Sequence, residues 1–287
     1  MSQISASMVK ELRERTGLGM MDCKKALTEC GGDMEKAIEN LRKSSGLKAA
    51  KKAGRVASDG LVRIRVSDDG KKAVLVEVNC ETDFAARDSH FIGFVELVTD
   101  SVFENGVTDV AALMASGLEA DREALVQKIG ENISVRRAEV ITSAGGVYGY
   151  THTDNKKAAL VAMSGGDPDL GRDLAMHVVA SSPQVVSAED TPKELIDKER
   201  EIYSAQAAES GKPADIVEKM VDGRIKKFLS EISLLDQPFV KDPDTKVSAL
   251  VKAKSASVEQ FVRYEVGEGI EVPTEDFAEE VRKQLGQ

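Results

Sequence analysis

The 287-residue sequence contains no tryptophan and only 4% aromatic residues, so it has few platforms on which single-stranded RNA bases or sugar rings stack. Three cysteines, Cys23, Cys30 and Cys80, form no C-x-x-C pair, and the three histidines, His90, His152 and His177, are scattered along the chain. A zinc site or a disulfide framework is therefore not expected. No apolar run approaches the roughly 20 residues that span a bilayer, and Met1 to Lys10 lacks a charged stretch followed by an apolar one. Neither a membrane anchor nor a secretory signal is expected, and this reading places the protein in the cytoplasm. Phosphate-binding signatures are missing too: there is no G-x-x-x-x-G-K-[ST] loop and no G-x-G-x-x-G after a strand, so direct nucleotide binding is not expected. With no G-x-S-x-G elbow and no H-E-x-x-H helix, bond-making catalysis is disfavoured, and neither cofactor nor metal is expected.

An excess of positive charge is likewise absent. The 39 basic residues against 49 acidic ones leave −10 overall, a surface that repels phosphate backbones. Residues 1–54 are the exception, with 11 basic and 7 acidic residues, a local +4 that leaves −14 for the remainder. The shift marks a domain boundary. It also keeps one alternative open, an RNA- or ribosome-binding adaptor that uses this basic N-terminal segment. A hydrophobic share of 41% with 31% charged residues suits a folded protein of two or more domains.

Helical periodicity dominates the N-terminal segment. Val9 and Leu12 share one face, Cys23, Ala26, Leu27 and Cys30 follow at i, i+3, i+4, i+7, and Met34, Ala37, Ile38 and Leu41 repeat the pattern. The spacing predicts three short helices, broken at Gly17 and Gly19 and at Gly31 and Gly32, with Asp33 as N-cap of the third. A basic helical linker is expected over Leu47 to Arg55. Beyond it, Leu61 to Val66 and Val74 to Val78 flank Asp68-Asp69-Gly70 and read as a hairpin. Helices over Phe91 to Phe103 and Asp121 to Ile133 and a strand over Ser134 to Ile141 should follow.

An internal repeat emerges at a shift of 85 residues. Residues 60–76 match 145–161 at eight of 17 positions, among them Gly60/Gly145, Asp69/Asp154, Lys72/Lys157 and Leu75/Leu160. Both halves should therefore contain a hairpin followed by a helix. The second half is interrupted by a polar insertion at about residues 183–232, which opens with Thr191 as cap and Pro192 at the first helical position. Its apolar stripes, Leu195, Ile196, Ile202 and Tyr203, then Val217, Met220, Val221, Ile225, Phe228 and Ile232, predict two helices folded back on each other across Ser210 to Pro213. A helix near Val247 to Lys252, a strand over Gln260 to Val266 and a final helix from about Thr274 complete the pattern.

The repeat halves diverge where the hairpin ends. One has Glu81-Thr82-Asp83-Phe84, the other Gly166-Asp167-Pro168-Asp169. Phe84 either folds inward, with Asp83 capping the next helix, or stands out as a wedge. Gly19-Met20-Met21 is open in the same way, as interior packing or as a loop that presents two flexible apolar side chains.

Longer motifs add a resemblance. K-E-L-R-E-R-T-G at Lys10 to Gly17, G-M-M-D-C-K-K-A-L at Gly19 to Leu27, E-V-N-C-E-T-D-F at Glu77 to Phe84, I-G-E-N-I at Ile129 to Ile133, A-M-H-V at Ala175 to Val178 and F-V-R-Y-E-V-G-E-G-I at Phe261 to Ile270 are collinear over almost the whole chain. In these the sequence resembles the bacterial elongation factor Ts family. The resemblance implies an α+β fold: an N-terminal three-helix bundle (1–54) like ubiquitin-associated domains, two repeated α/β core subdomains (55–140, and 141–182 with 233–266), an antiparallel coiled-coil arm (183–232) and a C-terminal helical module (267–287). It implies a non-enzymatic guanine-nucleotide exchange factor that binds elongation factor Tu, GDP-bound and nucleotide-free, in translation elongation. By the same resemblance Thr82, Asp83 and Phe84 enter the GTPase and displace magnesium. Ala85 follows where the family often has valine, a change in the packing that supports the loop. Leu12, Met20 and Met21 would contact a GTPase helix, His152 matches a histidine at the core surface whose role is a partner contact or merely structural, and the arm would allow a homodimer.

Overall fold

The computed structural model describes residues 4–209 and 213–271. At its N-terminus α1 (Ala6–Thr16), α2 (Met20–Glu29) and α3 (Met34–Lys52) enclose Val9, Leu12, Leu18, Cys23, Leu27 and Leu41. Local chemistry sets the ends: Ser5 accepts a hydrogen bond from the Met8 amide, Gly17 closes α1 in the left-handed region, and Asp33 accepts from the Lys36 amide to start α3. The third helix is not short. It absorbs most of the expected basic linker, because Ala49 near its end packs into the core of the first half, where α3 runs against the helix over Glu119–Ile129, and gives those turns a buried face.

The rest is built on two three-stranded antiparallel sheets. The first holds β1 (Asp59–Val66), β2 (Lys72–Cys80) and β3 (Ser134–Thr142) in the order β1-β2-β3. Its helices are α4 (Asp83–Ala86), α5 (Ser89–Asn105), α6 (Val110–Leu113) and α7 (Glu119–Ile129), the last two joined by a π-type turn. The second holds β4 (Val147–Thr151), β5 (Lys157–Ser164) and β8 (Ser257–Glu265), with α8 (Pro168–Ser181) against it. Side chains alternate across the central strands: Val74, Val76 and Val78 face α5 and α7, whereas Ala73 and Leu75 meet Ala158, Leu160 and Ala162 of the other sheet. The layers therefore run helix, sheet, sheet, helix. Both central strands are covered on two faces, the physical reason that they read as nearly continuous apolar runs.

The repeat is structural and extends further than its identities. Val62 pairs with Glu77 and Val66 with Ala73; 85 residues on, Val147 pairs with Ala162 and Thr151 with Ala158. Each central strand bulges at the same place, after Glu77 and after Ala162, against its third strand. A Cβ on Gly60 would strike the Val78 carbonyl, and one on Gly145 the Met163 carbonyl, so this close approach needs glycine in both halves.

The insertion forms α9 (Lys193–Ala208) and α10 (Ala214–Ile232), which pack through Ile196, Tyr203, Ala207, Val217, Val221, Ile225 and Leu229. Two details differ from the sequence expectation. Pro192, not Thr191, occupies the N-cap position, while the Thr191 hydroxyl is buried away from the backbone amides it was expected to cap. Ile202 points outward, since it lies about a third of a turn off the contact stripe. The chain returns through a small hairpin, β6 (Pro238–Phe239) and β7 (Asp242–Lys246), and through α11 (Val247–Ala253) before β8. Buried His177 fixes this junction: Nδ1 accepts from the Val240 amide at 3.1 Å, and Nε2 therefore donates to Gln237 Oε1 at 2.9 Å. After β8, the turn at 266–269 is tied to the first sheet by Glu77, which accepts from the Gly267 amide at 2.9 Å and pairs with Arg136 and Arg137 at 3.0 and 2.6 Å. The helix expected from Thr274 lies outside the described residues.

Candidate functional site

The loop that distinguishes the first half is built by two successive helix starts. Thr82 accepts from the Ala85 amide and opens the four-residue α4; one turn later Asp88 accepts from the His90 amide and opens α5. In the second half the equivalent cap, Asp167, accepts from the Leu170 amide and a single uninterrupted helix follows. The added break in the first half turns its initial helical turn into a separate step. Ala85 is buried beneath that step, as Leu170 is in the other half, while Phe84 stands 80% exposed. Asp83 caps neither helix, contrary to one reading of the sequence; its carboxylate pairs with Arg87 at 2.9 Å, one turn along. An exposed aromatic ring on a rigid step is an unfavourable display of apolar surface unless something covers it.

The step is held from behind. The thiol of Cys80 donates to the Thr82 carbonyl at 3.2 Å, and burial, with Asp59 and Glu131 nearby, pushes its pKa up to about 12, so it stays a protonated donor. Glu131 accepts three hydrogen bonds, from the amides of Glu81 and Thr82, both at 3.0 Å, and from the Thr82 hydroxyl at 2.6 Å. Asn132 donates its backbone amide to Glu81 Oε1 at 2.6 Å and its side-chain amide to the Arg55 carbonyl at 2.8 Å. None of these supports was singled out from the sequence. The helix expected to run to Ile133 stops at Ile129, where Gly130 takes the left-handed cap, and that stop releases Glu131 and Asn132 to reach the loop. The signal was available in the I-G-E-N-I motif, whose glycine reads as a helix stop.

Phe84 and Met20 line one open cleft of about 740 Å³ between the N-terminal helices and α4, the start of α5 and the end of α7, together with Leu18, Arg13, Lys128 and Glu131. Met20 is 56% and Met21 76% exposed at the start of α2, with Met21 outside the cleft lining. Leu12 is a correction: it is 0% exposed and packs inside the three helices, so it supports the α2 start from beneath and offers no surface to a partner. His152 lies elsewhere, in the turn between β4 and β5, with Nδ1 3.2 Å from Asp154 Oδ1. The same turn is docked on the first sheet, where the Val62 amide donates to the Asn155 carbonyl at 2.9 Å. The basic N-terminal residues are mostly paired: Arg15 with Glu35, Lys43 with Glu39 and Lys48 with Asp22, among others.

Exposed Met20 and Phe84 around one open cleft, with Met21 exposed beside it, form the kind of apolar display on which protein partners dock. Comparison with known proteins gives the family. The model of the family described as "Elongation factor TS" matches residues 81–268. "Elongation factor Ts" of Hahella chejuensis is 65% identical over 285 residues, covering 99% of each chain. The proteins of that name from Saccharophagus degradans and Cellvibrio japonicus are each 58% identical, covering 98% or more of both chains. The chain belongs to the elongation factor Ts family, a family of translation elongation factors. Among the described residues no helix is long and apolar enough to cross a membrane.

Proposed function

We propose that this chain is a guanine-nucleotide exchange factor that binds elongation factor Tu carrying GDP, releases the GDP and holds the empty GTPase, acting in the cytoplasm. The observation that carries the reading is the joint display of Met20 and Phe84 on one cleft, the second on a step that the otherwise equivalent half lacks. In this reading residues 1–54 dock the GTPase through Met20 and Met21, and Thr82, Asp83 and Phe84, seated on buried Ala85, enter it. Phe84 occupies an apolar groove that opens only as the magnesium and phosphate ligands shift, and Asp83 competes for groups that hold the ion. Because coupling is reciprocal, the factor weakens GDP binding by the same ratio by which GDP weakens the factor's own. The chain makes and breaks no bond and binds no nucleotide itself.

The division of labour follows the sequence boundaries: two core halves (55–140, and 141–182 with 233–266) carry the loop and a second contact surface that includes His152. The arm (183–232) offers a surface for a second copy of the chain; the C-terminal module expected over 267–287 lies almost wholly outside the described residues. The adaptor reading draws little from the N-terminal segment, whose basic side chains largely face acidic neighbours. Release of a fluorescent GDP from elongation factor Tu, with and without this protein, tests the proposal. Faster release is expected; an unchanged rate at saturating protein refutes it.

A further inference from the structure

We propose that Glu131 is a positioning residue for nucleotide exchange: its carboxylate holds Thr82, and through it the exposed Phe84, in the docking-competent pose. The inference rests on the exchange reading of Phe84. Three donors converge on this one side chain, two backbone amides and the Thr82 hydroxyl, and all three belong to the two residues that lead into α4. Bonds to an ionised acceptor are stronger and more directional than neutral ones, so the carboxylate sets both where the step begins and which way it faces. Thr82 in turn spends its hydroxyl oxygen on the Ala85 amide, which passes that orientation to the turn carrying Phe84.

The second half provides an internal control. Its third strand follows the first half's at an offset of 123, from Ser134 to Ser257, so Lys254 occupies the place of Glu131. The equivalent cap, Asp167, accepts from Lys254 Nζ at 2.9 Å. Both halves thus latch the helix start to the residue three before the third strand, with the charge reversed. In the second half the lysine meets only the side chain of the cap, and Gly165 and Gly166 supply the turn through positive φ of 70° and 79°. The first half has neither glycine. Cys80 and Glu81 occupy those places, and there the latch reaches the backbone amides themselves. A loop that cannot rely on glycine, and that must display an aromatic ring, is held by its carboxylate.

The latch also joins the two docking elements. Lys52, in the last turn of α3, donates to the Gly130 carbonyl, and the Asn132 side chain donates to the Arg55 carbonyl. Residues 130–132 therefore touch both the end of the N-terminal helices, which carry Met20, and the loop that carries Phe84.

The test compares Glu131→Ala, Glu131→Gln, Phe84→Ala and the Glu131→Ala/Phe84→Ala double variant in stopped-flow release of fluorescent GDP from elongation factor Tu. Hydrogen exchange at the Glu81 and Thr82 amides is followed in parallel. We expect Glu131→Ala to lower the release rate at saturating factor by about tenfold, with a smaller effect on affinity for the empty GTPase and faster exchange confined to residues 81–86. Glu131→Gln keeps one carbonyl oxygen for the amides but loses the acceptor for the Thr82 hydroxyl and should fall between wild type and alanine in rate and in exchange at residues 81–86; if the alanine variant does not fold, a Glu131→Gln protein with wild-type rate and wild-type exchange overturns the positioning role. In the Phe84→Ala background, loss of Glu131 should cost little more. A full additional loss there means that Glu131 touches the GTPase directly and overturns the positioning role. So does a Glu131→Ala protein with the wild-type saturated rate while Phe84→Ala is slow. A wild-type rate for Phe84→Ala itself overturns the role of Phe84 instead, and release that the wild-type protein does not accelerate overturns the exchange reading.

Discussion

Replacement of Phe84 by alanine separates display from fold. The ring is 80% exposed, whereas Ala85 and Ala86 beneath it are buried, so Phe84→Ala removes almost no packing from the free protein and should leave its unfolding midpoint unchanged. Full burial of such a side chain contributes about 1.5 to 3 kcal/mol. With four-fifths of the surface still open, docking has about 1.2 to 2.4 kcal/mol left to gain, equivalent to about eightfold to sixtyfold in a rate or equilibrium constant. Burial realised only in the opened groove appears in the release step; burial already present in the first encounter appears in affinity. Stopped-flow release of fluorescent GDP at saturating factor, repeated across a magnesium titration, distinguishes them. The expected result is slower release at every magnesium concentration with association largely kept, because the N-terminal helices still dock. Wild-type rates throughout would refute the reasoning.

Three further outcomes are expected. Met20→Ala with Met21→Ala should weaken association with elongation factor Tu, by up to about 1.5 to 3 kcal/mol per side chain fully covered, more than it slows saturated release; titration of the empty GTPase checks this, and an unchanged affinity with a slower saturated rate contradicts it. Exchange of about residues 200–224 for a short Gly-Ser turn, which keeps Ile196 and Leu229 at the arm base, should leave release nearly intact and, if the arm pairs two copies, shift the sedimentation profile; loss of nearly all release in a folded protein contradicts it. Burial holds the His177 imidazole below its ordinary pKa, a hydrogen bond to Gln237 opposing in part. As pH falls below about 6.5 the unfolded chain therefore takes up a proton that the folded one refuses, and stability drops by up to about 1.4 kcal/mol per pH unit until the folded pKa is reached. Urea unfolding between pH 5 and 7 should show this slope in the wild type and not in His177→Asn.

What was legible in the amino-acid sequence was local. Glycine stops, the Asp33 cap and the i, i+3, i+4 spacing set the N-terminal helices because their hydrogen bonds and caps close within a few residues. The hairpins and their repetition were readable for the same reason, since Asp69 and Asp154 fold each turn through an amide two residues away. The divergence at Phe84 also marked a candidate site, because two halves that otherwise share one pattern differ there.

Tertiary structure decided which side each side chain faced and what held it. Leu12 and Met20 are both apolar residues near helix ends, yet one is wholly buried and the other displayed, a difference set by where α3 packs. Ala49 turned an expected linker into helix by reaching a core made mostly of residues beyond 70. Glu131 and Thr82 are far apart in the chain and meet only because β3 lies beside β2. Local bonds set elements, but exposure and support depend on partners distant in sequence, whose approach is governed by burial of whole faces rather than by any short motif.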